Sequence, residues 1–147
     1  MPAPLLTVIV PSYNSQDYLD RAMTSLVGYG DEVEVIIVDD GSKDATGGIA
    51  DDWASRYGSV RVIHQENKGH GGAVNAGVAA AAGTHVRVVD SDDWLDRKAL
   101  AAVLDVLREE RAAGRELDLL VTNYVYEKQG KAHKAVIRYR NVLPRGR

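Results

Sequence analysis

The chain has 147 residues, no cysteine, and 18 Lys and Arg against 21 Asp and Glu, a net charge of -3. That length carries one domain, residues 1–147, with a core of its own. The missing thiols exclude disulfide scaffolds, thiolate catalysis and cysteine-based zinc sites, and the near-neutral balance gives no electrostatic case for nucleic acid.

In chain order, Leu5 to Val10 reads as a buried strand, broken by Pro11-Ser12-Tyr13-Asn14. A helix is predicted from about Gln16, capped by Asn14 or Ser15, with Leu19, Ala22, Met23 and Leu26 at helical spacing and Gly28 and Gly30 ending it. Val33 to Val38 is a second strand, followed by the turn Asp39-Asp40-Gly41-Ser42. Ser42 or Asp44 can cap a second helix reaching about Tyr57. Val60 to Ile63 is a third strand, and Gly69-His70-Gly71-Gly72 leads into an alanine-rich helix ending near Gly83. Val86 to Val89 is a fourth strand, Leu95 to about Arg111 a fourth helix, Leu117 to Tyr126 a fifth strand and Ala135 to Tyr139 a sixth. The basic end, Arg138-Tyr139-Arg140 and Arg145-Gly146-Arg147, reads as solvated. The N-terminus lacks the features of a signal peptide, and no apolar run approaches a membrane span. The expectation is a cytoplasmic chain without a transmembrane segment, a peripheral place at the inner membrane face being open to the full-length protein.

Repeated β-α-β implies a mostly parallel sheet with helices on both faces, an α/β fold. Ligands of such sheets bind beyond the carboxyl ends of the strands, and the unusual residues gather there: Pro11 to Asn14, Asp39 to Ser42, Asn67 to Gly72, and Asp90-Ser91-Asp92-Asp93. Three carboxylates within four residues suit a hard divalent cation such as Mn2+ or Mg2+, which in turn could hold a phosphate. The plainer alternative is a polar turn with Asp92 capping the helix at Trp94. Asp39-Asp40 is either a polar turn or a pair of which one carboxylate accepts hydrogen bonds from a base or a ribose. The run Gly69 to Gly77 departs from a dinucleotide fingerprint at Val74 and follows the wrong strand, so no nicotinamide or flavin role is expected. Its glycines still allow close backbone approach to a ligand, and a helix N-terminus there favours phosphate. His70 reads as a loop residue, Lys68 as a solvated lysine or a phosphate contact, and Trp94 and Leu95 as packing residues. No Walker A sequence occurs.

Taken together and in this order, the clusters resemble glycosyltransferase family 2, the large group with the GT-A fold. Val8-Ile9-Val10-Pro11-Ser12-Tyr13-Asn14 is similar to its opening strand and loop. Val35 to Ser42 is similar to its second strand and acidic turn, Asn67-Lys68-Gly69 through Asn75-Ala76-Gly77 to its glycine-rich helix, and Val88 to Trp94 to its DxD region. The resemblance covers roughly the first hundred residues. It implies transfer of a sugar from a nucleotide diphosphate, UDP-sugar being the favoured donor, to an unidentified glycan or lipid-linked acceptor, with inversion at the anomeric carbon. Pro11, Tyr13 and Asp40 would line the base pocket, Asp92 would reach the ribose or the metal, and Asp93 or Asp92 would bind the ion with Asp90 supporting. The nucleotide-sugar contacts implied are Pro11, Tyr13, Asn14, Asp39, Asp40, Asn67, Lys68, Gly69, Asn75, Asp90 and Asp92, and the metal ligands Asp92 and Asp93.

Two departures stand out. The family often carries an arginine where Val74 stands. Its domain also continues past residue 147 into a half that holds the acceptor site and a carboxylate base, whereas Glu109, Glu110, Glu116 and Asp118 read as helix-face and turn charges. The chain is therefore expected to be the nucleotide-sugar-binding part of a longer enzyme, truncated, with its base beyond Arg147. Competing readings are a non-catalytic nucleotide-sugar-binding module and a receiver-like phosphoacceptor domain. The latter carries its acidic pair after the first strand, whereas here the pair follows the second. A sugar nucleotidyltransferase would need a glycine- and arginine-rich N-terminal loop that Pro11 to Asn14 does not offer.

Overall fold

The computed structural model describes residues 2–128 and 130–139; of the basic end, Arg140 and Arg145 to Arg147 lie outside them. The strands β1 (Leu6–Ser12), β2 (Val33–Asp39), β3 (Val60–His64) and β4 (His85–Val88) form one sheet in the order β3-β2-β1-β4. Every pairing in it is parallel. Helices α1 (Leu19–Leu26), α2 (Thr46–Arg56), α3 (Gly69–Ala80) and α4 (Arg97–Ala112) connect and follow the strands.

The central strands β1 and β2 are β-branched runs because both their faces are covered, whereas the edge strand β4 leaves Val86 and Val88 exposed. Alternate residues part to opposite sides. Val8, Val10, Val35 and Ile37 join Leu19, Met23 and Leu26 of α1, Ala50 and Trp53 of α2 and Leu100, Leu104 and Leu107 of α4. Ile9, Ile36 and Val38 face the other way, onto Ala73 of α3, with Ala76 and Ala80 beside it. Each buried Val or Ile contributes about 1.5–3 kcal/mol, so these two layers hold the strand ends that carry the polar clusters. On the thinner face α3 lies close because its residues are small. A Cβ on Gly77 would run into Ile9 Cγ2, and one on Gly83 would lie 2.6 Å from the backbone nitrogen of Thr7.

Several boundaries differ from the sequence expectation. α1 starts at Leu19, since residues 16–18 form a turn in which Tyr18 and Leu19 both donate to the Ser15 carbonyl, and no side chain caps it. α2 begins at Thr46, where the Thr46 N–H donates to Asp44 Oδ1 at 2.9 Å rather than to Ser42. α4 begins at Arg97 and is capped by Asp96, whose Oδ1 accepts from the Ala99 N–H at 2.8 Å, so Asp92 caps nothing. The predicted fifth strand over Leu117 to Tyr126 is reduced to β5 (Tyr124–Tyr126), paired antiparallel with β6 (Ala135–Ile137). Residues 117–123 pass β4 through side chains instead. His85 Nε2 donates to the Leu117 carbonyl at 2.8 Å, and Arg87 Nη1 donates to Thr122 Oγ1 at 3.1 Å. Without a ladder there, Leu119 is 76% exposed. β-propensity expresses fit to a neighbouring strand, not an intrinsic preference. Among the described residues no helix is long and apolar enough to cross a membrane.

Candidate functional site

All four polar clusters stand at the carboxyl edge of the sheet, and hydrogen bonds stitch the first two together. The Asp40 N–H donates to the Ser12 carbonyl at 2.9 Å. Asn14, held at φ +48, donates its N–H to Ser42 Oγ (3.0 Å) and accepts the Lys43 N–H on Oδ1 (2.8 Å). The Ser15 N–H donates to Thr46 Oγ1 (2.7 Å), and Gln16 accepts the Ala45 N–H (3.1 Å). Asn14, expected from the resemblance as a ligand contact, is thus engaged as a strut between two loops. Pro11 is buried, and Tyr13 is half-exposed beside the strut.

The acidic pair ending β2 is buried: Asp39 is 7% exposed and Asp40 3%. Asp39 accepts from the Ser42 N–H on Oδ1 (3.1 Å) and meets His64 Nδ1 through Oδ2 (2.9 Å). Asp40 Oδ1 accepts from Gln65 Nε2 and from the Lys68 N–H, both at 2.8 Å. Burial pushes both carboxyls upward, but these hydrogen bonds outweigh it and hold each below the usual carboxylate range. Gly41 makes the turn possible, since at φ +74 a Cβ there would lie 2.9 Å from the Asn67 nitrogen. Asn67 accepts the Gly69 N–H on Oδ1 at 3.2 Å, and the side chains of Lys68 and Asn75 are exposed, on the entry to α3 and along it.

The third element is the loop after β4. Asp90, Asp92 and Asp93 each present a carboxylate oxygen such that the three lie within 4.8 Å of one another. The Asp93 N–H closes the turn onto the Asp90 carbonyl at 2.9 Å. Burial, then the charges of Asp92 and Asp90, push the Asp93 carboxyl above the usual range. Three hard oxygen donors whose mutual repulsion a cation would relieve fit a divalent ion such as Mn2+ or Mg2+. The loop is anchored beneath. Ser91 Oγ and Ser15 Oγ are 2.6 Å apart in a buried pair, the Leu95 N–H donates to Ser25 Oγ (3.0 Å), and Trp94 stacks under the Arg21 guanidinium, 3.3 Å from the ring centroid. Leu95 joins the larger core cluster, as expected of it, while Trp94 is held by Arg21. His70 falls in the first turn of α3, with Nε2 3.8 Å from Asp90 Oδ1, beyond hydrogen-bond reach.

The structure therefore gathers the acidic triad in one place and the pair Asp39-Asp40 in another, with Ser15 of the loop after β1 between them, its hydroxyl on Ser91 and its N–H on Thr46 Oγ1. Gln65 and His64 went unnoticed in the sequence, and the pairing of Ser15 with Ser91 was not foreseen. Hydroxyl pairs leave no periodic signal, but His64 and Gln65 follow a strand at the ligand edge, a position that alone could have marked them. A cavity of about 450 Å³ lies at the opposite, amino edge. Its arginines are already satisfied: Arg61 by Glu34 (2.7 Å), Arg108 by Glu32 (2.7 Å) and Arg111 by the carbonyls of Ala3 and Pro4 (2.8 and 3.0 Å). It offers a ligand no free partner among them.

Residues 7–137 match the family described as Glycosyl transferase family 2. The chain is 39% identical over 118 residues to the uncharacterized glycosyltransferase EpsJ of Bacillus subtilis strain 168, covering 80% of this chain and 33% of that protein. Among solved structures it is similar to S. aureus TarS 1-349 in complex with UDP-GlcNAc, with a TM-score of 0.65 and 32% identity over 72% of this chain and 32% of that one. It is also similar to the mannosyltransferase PcManGT of Pyrobaculum calidifontis in complex with GDP-Man and Mn2+, with a TM-score of 0.60 and 30% identity over 71% of this chain and 32% of that one. The chain spans about a third of the length of the relatives it matches.

Proposed function

The chain belongs to glycosyl transferase family 2, and from that premise we propose that it is the donor-binding part of an inverting glycosyltransferase. The donor is a nucleotide diphosphate sugar, UDP-sugar first, and the acceptor a glycan or a lipid-linked sugar. The observation that carries this reading is the acidic triad Asp90, Asp92 and Asp93, its oxygens within 4.8 Å, on the same sheet edge as the buried pair Asp39-Asp40. That arrangement supports a cation-bound diphosphate at the triad and a base at the pair.

In this reading Pro11, Tyr13 and Asp40 line the base pocket, Asn67, Lys68 and Gly69 border it, and Asn75 lies further along α3. Asp92 and Asp93 would hold a divalent ion, Mn2+ or Mg2+, with Asp90 supporting; Asp92 would reach the ribose or the ion. Such an ion supplies positive charge to the departing diphosphate. The acceptor base is proposed to lie beyond Arg147. Glu110 is paired with Arg115 at 2.7 Å, and Glu109 stands twelve residues past Arg97, roughly 18 Å along α4 from the first residue of that helix. That pairing and that distance speak against either as the base. A second reading, a nucleotide-sugar-binding module without transfer, is favoured by that same distance. Donor binding together with product formation from an acceptor panel, measured on the full-length protein, separates the two. Binding without product supports the module.

Asp40 gives the more specific test. Its Oδ1 is already engaged by Gln65 and Lys68, so Oδ2 is the oxygen that would accept from a base. In Asp40→Asn the amide oxygen can keep both internal bonds while the other position turns from acceptor to donor. The expected result is loss of preference for UDP over GDP and ADP by about 1–3 kcal/mol, the cost of an unmatched buried group. Calorimetric titration of the three nucleotides with Mn2+ present measures it. Equal weakening for all three would remove Asp40 from base reading.

A further inference from the structure

The geometry points to His64 as a positioning residue of the nucleotide pocket, an imidazolium clamped between Asp39 at the end of β2 and Asp51 on α2 that holds the turn carrying Asp40 in its binding geometry. The inference rests on the reading of that turn as part of the pocket.

His64 is the last residue of β3 and the register partner of Asp39. Its Nδ1 lies 2.9 Å from Asp39 Oδ2 and its Nε2 2.8 Å from Asp51 Oδ1. The next residue repeats the arrangement one step on, with Gln65 Nε2 donating to Asp40 Oδ1 at 2.8 Å. Two consecutive side chains at the end of β3 thus hold the two consecutive carboxylates at the end of β2. Space is reserved for this contact. A Cβ on Gly47, in the first turn of α2, would lie 2.8 Å from Asp39 Oδ2 and 3.5 Å from His64 Cε1. The other oxygen of Asp39 accepts from the Ser42 N–H at 3.1 Å.

The chemistry of the ring follows from what surrounds it. Both nitrogens face carboxylate oxygens, which only accept, so both bonds form only when the ring carries two protons. The charged groups facing the ring are Asp39 from β2 and Asp51 from α2, while the near turn of α2 presents the backbone of Gly47. The bond to Asp39 first, and that to Asp51 second, raise the pKa of His64 above the ordinary value of about 6.5. A group whose folded pKa is raised contributes fully below its unfolded pKa and loses that contribution as pH rises through the folded one. The clamp is therefore complete in mildly acidic solution and opens above the pKa of the bound ring.

The test is UDP affinity in Mg2+, measured by calorimetry from mildly acidic to mildly alkaline pH on the wild type, His64→Gln and Asp51→Asn, with the ring titration of His64 followed by NMR. His64 is half exposed, so its substitution leaves the core intact. The expected wild-type result is a weakening of roughly threefold to fivefold as the ring deprotonates, the scale of a half-exposed ion pair. In His64→Gln the amide donor reaches Asp39 at any pH, and that step disappears; the ionisation of the diphosphate is common to all three proteins and cancels. In Asp51→Asn the step and the ring pKa both move to lower pH while UDP still binds, which a merely structural histidine would not produce. Identical pH profiles in wild type and His64→Gln, or a ring pKa at or below the ordinary value, would overturn the role. Absence of UDP binding at every pH would overturn the pocket reading, and this role with it; binding without a His64-dependent step overturns the role alone.

Discussion

Nucleoside diphosphate binding is expected to fall at least about a hundredfold when EDTA replaces Mn2+. Three carboxylates with oxygens within 4.8 Å of one another would otherwise face a diphosphate of the same sign. At that spacing and an effective dielectric constant of about 20, each pair of like charges costs about 3–4 kcal/mol before screening. A hundredfold change corresponds to about 2.7 kcal/mol, less than the combined unscreened repulsion of the three pairs. Asp93→Asn should weaken binding of UDP, GDP and ADP alike, because in the proposed function the loop meets phosphate, not base. The same substitution should act on stability in the opposite direction. The folded-state pKa of Asp93 is raised, by burial and then by Asp92 and Asp90, so the ionised carboxylate disfavours the fold at neutral pH and protonation relieves it as pH falls. Removing the charge should therefore raise the melting temperature of the ion-free protein while lowering its affinity for nucleotide. Titration calorimetry with Mn2+ and with EDTA, beside thermal melts in EDTA, reads both signs. Equal binding in the two solutions would take the cation out of the proposed function. A lower melting temperature for Asp93→Asn would show that the repulsion is not felt in the fold.

A stability effect away from the site is expected at Gly77. Alanine normally improves a helix interior by about 0.8–1.0 kcal/mol over glycine. Here the added methyl would run into Ile9 Cγ2 and stand 3.0 Å from Ile9 Cγ1. Ile9 is fully buried in β1, between β2 and β4, and has nowhere to go. Overpacking of this kind costs about 1–3 kcal/mol, so the net change for Gly77→Ala is destabilising, a fall of several degrees in melting temperature for a chain of this size. The double variant Gly77→Ala with Ile9→Ala should be more stable than the sum of the single effects predicts, by about 0.5–3 kcal/mol of coupling. A stabilised Gly77→Ala, or strict additivity, would mean that α3 lifts from the sheet without cost.

What could be read in the sequence was what repeats or clusters. The four β-branched runs alternating with helical segments announced a parallel sheet, and the polar residues after them announced the ligand edge. Individual side-chain duties were less legible. Asn14 has the composition of a ligand contact, yet its amide braces Lys43 because the loop needs an acceptor there. Ser15 could have capped α1, but its hydroxyl pairs with Ser91, seventy-six residues away. A run such as Leu117 to Tyr126 reads as a strand on its own residues, while strand formation is decided by whether another backbone lies alongside. His64 carries no motif. What matters in it is that its register partner is a carboxylate, and register is a property of the sheet, not of the residue.

The ladder around β1 also has a consequence for motion. From Leu6 to Ile9 this strand is paired on both sides, with β2 and with β4, whereas from Val10 to Ser12 its ladder continues with β2 alone. Backbone protection against solvent exchange should therefore decline along a single strand, from amides released only by global unfolding to amides released by local opening. The edge proposed to meet the nucleotide is the edge where the sheet comes apart most cheaply. Ligand binding would then register as slowed exchange at the amides of Val10 and Ser12 and in the loop Asp90 to Asp93, while Leu6 to Ile9, already tied down, would report nothing.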